Sequence, residues 1–172
     1  MSPSTHLRAD ELKRTFDQGF AQVPDLSSKN HINLLAISLA GTPYALELKD
    51  IAGLYANKKV TRIPARTPGL LGIAGFRGAI LPIYDLAALV GLPASEKVRW
   101  FAIVAGAELA VAFDTFDGHV SVPADAIVPN ESQDGNRRHF SHLLRSSGGL
   151  RAVVNLSSVL HPVTGTEPRG SL

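Results

Sequence analysis

The 172-residue chain contains no cysteine. Disulfides and thiolate metal sites are thereby excluded, and the composition suits a reducing compartment. Charge of one sign is not in excess either: 17 Lys and Arg stand against 15 Asp and Glu, a formal net charge of +2. A nucleic-acid binder would carry a stronger, clustered basic excess. Long hydrophobic runs are also missing. No apolar stretch reaches the roughly 18 residues that a membrane helix needs. The opening MSPSTHLRADELKRTF lacks the apolar core of a signal peptide. The expectation is a cytoplasmic protein that neither inserts into membrane nor binds nucleic acid.

What is present is material for a core. Hydrophobic residues make up 45% of the chain and charged residues 19%, while fifteen glycines and eleven prolines punctuate it. Frequent turns favour short strands over long helices. Residues 5–23 read as an amphipathic helix, with Leu12, Phe16 and Phe20 recurring every four residues and Pro24 ending the pattern. A linker completes a first segment over 1–30. From Leu34 the period changes to two: Leu35, Ile37 and Leu39 share one face, and Tyr44, Leu46 and Leu48 share another after a turn at Gly41-Thr42-Pro43. Ile51 and Leu54 stand a helical turn apart, and a short strand ends at Pro64.

A second hairpin is predicted over Leu71–Gly75 and Ala79–Tyr84, turning at Arg77-Gly78, with Asp85 as N-cap of a short helix closed by Gly91 and Pro93. A third pairs Trp100–Val104 with Leu109–Phe113. HVSVP and DAIVP are further strands, residues 130–149 are polar and loop-rich, and LRAVVNLSSVL is a last strand entering a helical turn. Short strands at this spacing indicate barrels or a sandwich, hence an all-β fold.

Chemistry is hard to find. The spacing of Gly72, Gly75 and Gly78 matches no phosphate-binding pattern, and a strand rather than a helix follows it. Of six histidines only His139 and His142 have ligand-like spacing, and solvated histidines are the better reading. Asp114 and Asp117 flank Phe116 as paired acids without a recognisable base or nucleophile beside them, and are read as a strand end entering a turn. No enzyme, cofactor or metal site is expected. What remains is a surface. Arg77, in the middle of an apolar stretch, is either a turn residue kept in water or the centre of an interface, where Arg beside apolar neighbours dominates binding.

The stretch GIAGFRGAILPIYDLAALVGLP resembles the signature of CheW domains, the coupling proteins of bacterial chemosensory arrays. Gly72, Arg77, Gly78, Pro82, Asp85 and Leu86 occupy matching places. LLAISLAGTPYALELKDI, VTRIP, LAVAFDTF and LRAVVNLSSVL resemble flanking parts of the family, so the likeness spans about residues 32–162. It implies two five-stranded SH3-like β-barrels over 31–163, divided near 93–97, with an added N-terminal helix and a disordered tail over 164–172. It also implies a non-catalytic adaptor. Such proteins bridge the cytoplasmic tip of methyl-accepting chemoreceptors to the regulatory domain of a CheA-type histidine kinase, and pair with other CheW-like proteins at receptor arrays.

By position, Arg77 matches the family's coupling arginine, with Gly75 and Phe76 beside it on the hairpin. Ile51 and Leu54 match apolar positions near the receptor groove. These five are the expected partner-binding residues. Departures from the pattern are Gly75 for Asn, Phe76 for Leu and Ala79 for Glu. They motivate a second reading, a divergent homologue that binds receptor without recruiting kinase. A third is a barrel protein that binds a small ligand in the cleft between its subdomains.

Overall fold

The period of two over residues 34–48 produces the first hairpin. Strands β1 (His31–Leu39) and β2 (Thr42–Glu47) pair antiparallel with Leu39 opposite Thr42. The turn is therefore Ala40-Gly41, both at positive φ (48° and 77°). Two left-handed residues match the right-handed twist of the flanking strands, which places the turn earlier than the sequence suggests. This computed structural model describes residues 31–130, 139–146 and 149–165. The amphipathic helix read over 5–23 lies outside them, as does the tail from residue 166; Thr164 closes the last helix.

The remaining elements follow as β3 (Ile51–Ala56), β4 (Leu70–Phe76), β5 (Ala79–Asp85), helix α1 (Leu86–Leu89), β6 (Trp100–Val104), β7 (Ala110–Phe113), β8 (Thr115–Pro123), β9 (Ile127–Pro129), β10 (Phe140–Ser146), β11 (Gly149–Val154) and helix α2 (Leu156–Thr164). They form two sheets. The first has six strands in the order β8-β1-β2-β11-β10-β9, and the second has five in the order β3-β6-β7-β5-β4. The all-β, two-sheet architecture is thus present, with the three-residue β9 making a sixth strand in the first sheet. Residues 93–97 form the connection from α1 to β6, both of whose neighbouring strands, β5 and β6, lie in the second sheet. The first sheet takes its strands from both ends of the described chain.

The outer strands of each sheet follow one another in the chain. The outer strands β8 and β9 of the first are joined by the single turn Ala124–Ala126, which holds their ends together. In the second, the chain beyond β3 reaches β4: Thr61 and Ile73 exchange two backbone hydrogen bonds of 2.8 and 2.9 Å. Gly72 makes this approach feasible. A Cβ there would stand 2.2 Å from the Thr61 carbonyl oxygen, and its φ is +144°. Gly72 is therefore a close-approach glycine at a bulge in β4 rather than a turn residue.

Strand alternation sorts the side chains into three cores. Leu34, Ala45, Val122, Ile127, Leu144 and Val153 fill the first barrel. Ala74, Phe76, Ile83, Phe101, Ala110 and Ala112 fill the second. The largest cluster combines residues of both sheets, including Leu35, Ile37, Leu39, Tyr44, Val111 and Phe113, with Leu156 and Val159 of α2. In β7 the small Ala110 and Ala112 point into the barrel while Val111 and Phe113 face the shared core. Strands buried on both faces read as continuous apolar runs, which is why β1 and β7 are so hydrophobic.

Three local expectations are corrected. Ile51 and Leu54 are in a strand, not a helical turn: a bulge between Ile51 and Gly53 inserts a residue, so positions three apart share a face. The strand expected at VTRIP is reduced to the Thr61 bridge. Phe140–Ser146, read as loop, is β10, paired on one side with β11 and on the other with β9.

Candidate partner-binding site

The β4–β5 hairpin presents the site. Phe76 pairs with Ala79, leaving Arg77 and Gly78 as a two-residue turn with φ of 46° and 87°. Two positive φ values give the primed turn geometry that suits a right-twisted hairpin. A left-handed conformation costs a non-glycine residue about 1 kcal/mol, so local preference alone would favour Asn or Gly where Arg77 stands. Ala40 tolerates the same conformation in the first hairpin.

At the base of the hairpin, Asp85 is 1% exposed. Its Oδ1 accepts from the Ala87 N–H at 3.0 Å, capping α1, and its Oδ2 accepts from the Ser95 N–H at 2.8 Å. The Asp85 N–H donates to the Gly69 carbonyl at 2.7 Å. One buried carboxylate thus fixes β5, α1 and the following loop, as its predicted capping role requires.

Arg77 is exposed at the tip. Its guanidinium carbon lies 5.9 Å from the centre of the Tyr55 ring. Lys58 Nζ lies 5.2 Å from that ring and 5.4 Å from the Phe76 ring. The two cations flank one aromatic, within cation–π range. From Ile51 to Tyr84 the sequence holds Lys58, Lys59, Arg62, Arg66 and Arg77 and not one Asp or Glu. The ion pairs Lys49–Glu47 and Arg151–Asp117 use none of these five. Among the described residues, Arg77 and Lys58 thus meet at the Tyr55 ring.

The five expected residues fare differently. Arg77 and Gly75 are exposed at the tip, and no atom stands within 4 Å of where a Gly75 Cβ would lie. Phe76 is a correction: it is 2% exposed and packs inside the barrel, with its ring centroid 5.1 Å from Tyr55 and 6.4 Å from Phe101. Strand parity decides this, since alternate residues Ala74 and Phe76 point inward together. Ile51 and Leu54 are half-buried on β3 and pack against the shared core, on the face opposite Tyr55. The structure does not gather them with Arg77 into one cluster.

Ile80 is the residue that sequence reasoning missed. It is 72% exposed and lies opposite Gly75, which has no side chain to cover it. The signal was available: in a paired hairpin ending at Arg77-Gly78, Ile80 falls across from Gly75.

The acids considered for catalysis are committed elsewhere. Asp114 Oδ2 accepts from the Ala40 N–H at 2.9 Å. Asp117 Oδ2 lies 2.9 Å from Arg151 Nη1 and accepts from the Ser38 hydroxyl at 3.1 Å. His139 is 7% exposed, not solvated, with Nδ1 3.2 Å from the Ser158 hydroxyl. Among the described residues, no helix is long and apolar enough to cross a membrane.

A family model described as CheW-like domain matches residues 33–163. No curated protein matches the chain. Among solved structures, the chain is similar to the scaffolding protein TtCheW from Thermoanaerobacter tengcongensis. The identity is 20%, the match covers 72% of this chain and 88% of that one, and the TM-score is 0.63. With the family model spanning strands of both sheets, the Arg77 hairpin included, the chain belongs to the CheW-like domain family.

Proposed function

We infer that the protein is a non-catalytic scaffold of a bacterial chemosensory pathway. It works in the cytoplasm beside receptor arrays and couples the cytoplasmic tip of chemoreceptors to the regulatory domain of a CheA-type histidine kinase. Family membership supports the adaptor role. The observation that carries the partner reading is Arg77: an exposed cation, rigidly mounted, in a stretch without acids. Such a face is complementary to an acidic surface, and charge complementarity of this kind governs partner choice and association rate more than final affinity. Arg77, Gly75 and Ile80 form the contact, Lys58 and Tyr55 extend it, and Ile51 and Leu54 act on a separate face of β3. Phe76 serves from beneath, holding the Tyr55 ring in place.

A pull-down of the full chain with a purified kinase regulatory domain, and separately with a receptor-tip fragment, tests this. Retention of both supports coupling. Retention of receptor alone replaces it with the narrower adaptor that recruits no kinase, and retention of neither removes it.

A further inference from the structure

The residue before β3, the β6–β7 turn and helix α2 line a cleft of about 320 Å³. That size stands at the small end of ligand sites. Asp50, Ala105, Gly106, Ala107, His161 and Thr164 line it, and each is exposed or half-exposed, so a guest can touch them. The Asp50 carbonyl accepts the Ala105 N–H at 2.8 Å, which ties one wall to the turn through the backbone. Asp50 also brings the cleft's formal charge: among the described residues that line it there is no Lys, Arg or Glu. Its carboxylate takes no part in the Lys49–Glu47 or Arg151–Asp117 pair, and the adjacent Lys49 ammonium is engaged by Glu47. Burial and the Glu47 charge both disfavour the ionised form of Asp50, with Lys49 opposing. A cation brought to Asp50 relieves that penalty.

The lining selects the guest. An anion would meet Asp50 and find no Lys or Arg to hold it. A metal ion needs three or four converging ligands, and no group of three His, Cys, Asp or Glu comes together among the described residues. An organic cation needs only one carboxylate, and the alanines of the turn offer an apolar wall for its carbon atoms. Thr164, in the last turn of α2, lines the same cleft, and the carbonyl end of a helix favours positive charge. We propose that this cleft binds a small primary alkylamine, its ammonium group donating to the Asp50 carboxylate and its alkyl stem lying along the Ala105–Ala107 turn. The guest then links the start of β3 to the closing helix. None of the lining residues belongs to the Arg77 contact, so this binding is independent of the adaptor reading.

The test is an amide NMR titration of the full chain with n-pentylamine and with its neutral counterpart, 1-pentanol. The amine should shift the Asp50, Gly106 and Thr164 amides saturably, and the alcohol should leave them in place. Affinity should rise from ethylamine to n-pentylamine, by up to about fourfold per methylene. Asp50→Asn keeps the backbone bond to Ala105 and should weaken amine binding by at least ~10-fold, the worth of one charge-assisted hydrogen bond. Arg77→Ala should bind the amine as wild type does, which separates this site from the partner face. A lysine side chain carries the same ammonium group. Tighter binding of Nα-acetyl-L-lysine amide than of n-pentylamine would assign the cleft to a protein partner and overturn the free ligand. No saturable shift, equal shifts from the alcohol, or unchanged affinity in Asp50→Asn would also overturn the proposal and leave the cleft to water.

Discussion

The Arg77 guanidinium lies over the Tyr55 ring, 5.9 Å from its centre, and so bridges the tip of one hairpin to an edge strand of the same barrel. An exposed cation–π contact is worth about 0.5–1 kcal/mol, and the left-handed backbone at Arg77 offsets a similar amount. Arg77→Ala should therefore unfold within about 1 kcal/mol of wild type. Arg77→Gly, which relieves the backbone, should be at least as stable as Arg77→Ala. Thermal denaturation of the three proteins decides it; a large loss in Arg77→Ala would make the residue structural.

Gly72 and Gly75 lie in one strand with opposite tolerances. Gly72→Ala drives a methyl group into the Thr61 carbonyl and strains a positive φ, whereas Gly75 faces open space. Urea denaturation should show Gly72→Ala destabilised by about 3 kcal/mol. Gly75→Ala should change by no more than about 0.5 kcal/mol. Equal effects would contradict the barrel closure through Thr61.

Asp85 holds two backbone N–H groups from a buried position. Asp85→Ala leaves both without an acceptor and should cost about 2–4 kcal/mol. Asp85→Asn keeps one acceptor and should fall between Asp85→Ala and wild type. Chemical denaturation that ranked the Asn variant below Ala would contradict the paired role of the two oxygens.

Much of this was legible in the sequence, and the exceptions have physical causes. The alternations of β1, β6 and β7 assign side chains to the shared core or to a barrel interior, as the structure has them. Asp85 is readable as a cap because a short polar residue precedes a run of helix formers. Bulges defeat such reading: the extra residue after Ile51 imitates a helical spacing. β10 is masked by its polar composition, although hydrogen bonds to β9 and β11 hold it. Phe76 looks like a surface residue beside Arg77 until pairing fixes its parity. The Ala40–Asp114 hydrogen bond has no sequence signature, since it joins positions 74 apart.

Burial, and to a lesser degree the nearby Glu47 charge, push the Asp50 carboxyl above its usual value of 3.8, with Lys49 opposing. The folded-state value exceeds the unfolded one, so ionisation of Asp50 works against folding. That penalty is absent below the usual carboxylate range and grows as pH rises through the shifted value. Asp50→Asn should melt above wild type at neutral pH, with the gap closing in acid. A gap that widened on acidification would reverse the sign.

The central claim is that Arg77 grips a partner from a rigid, exposed tip. Its most direct test is the affinity of wild type and Arg77→Glu for the receptor-tip fragment and the kinase regulatory domain, measured alongside melting temperature. The account predicts matched melting temperatures and a loss of at least about tenfold in affinity for one of those partners, the scale of an interface hot spot. Equal affinity of the two proteins for both partners would contradict it.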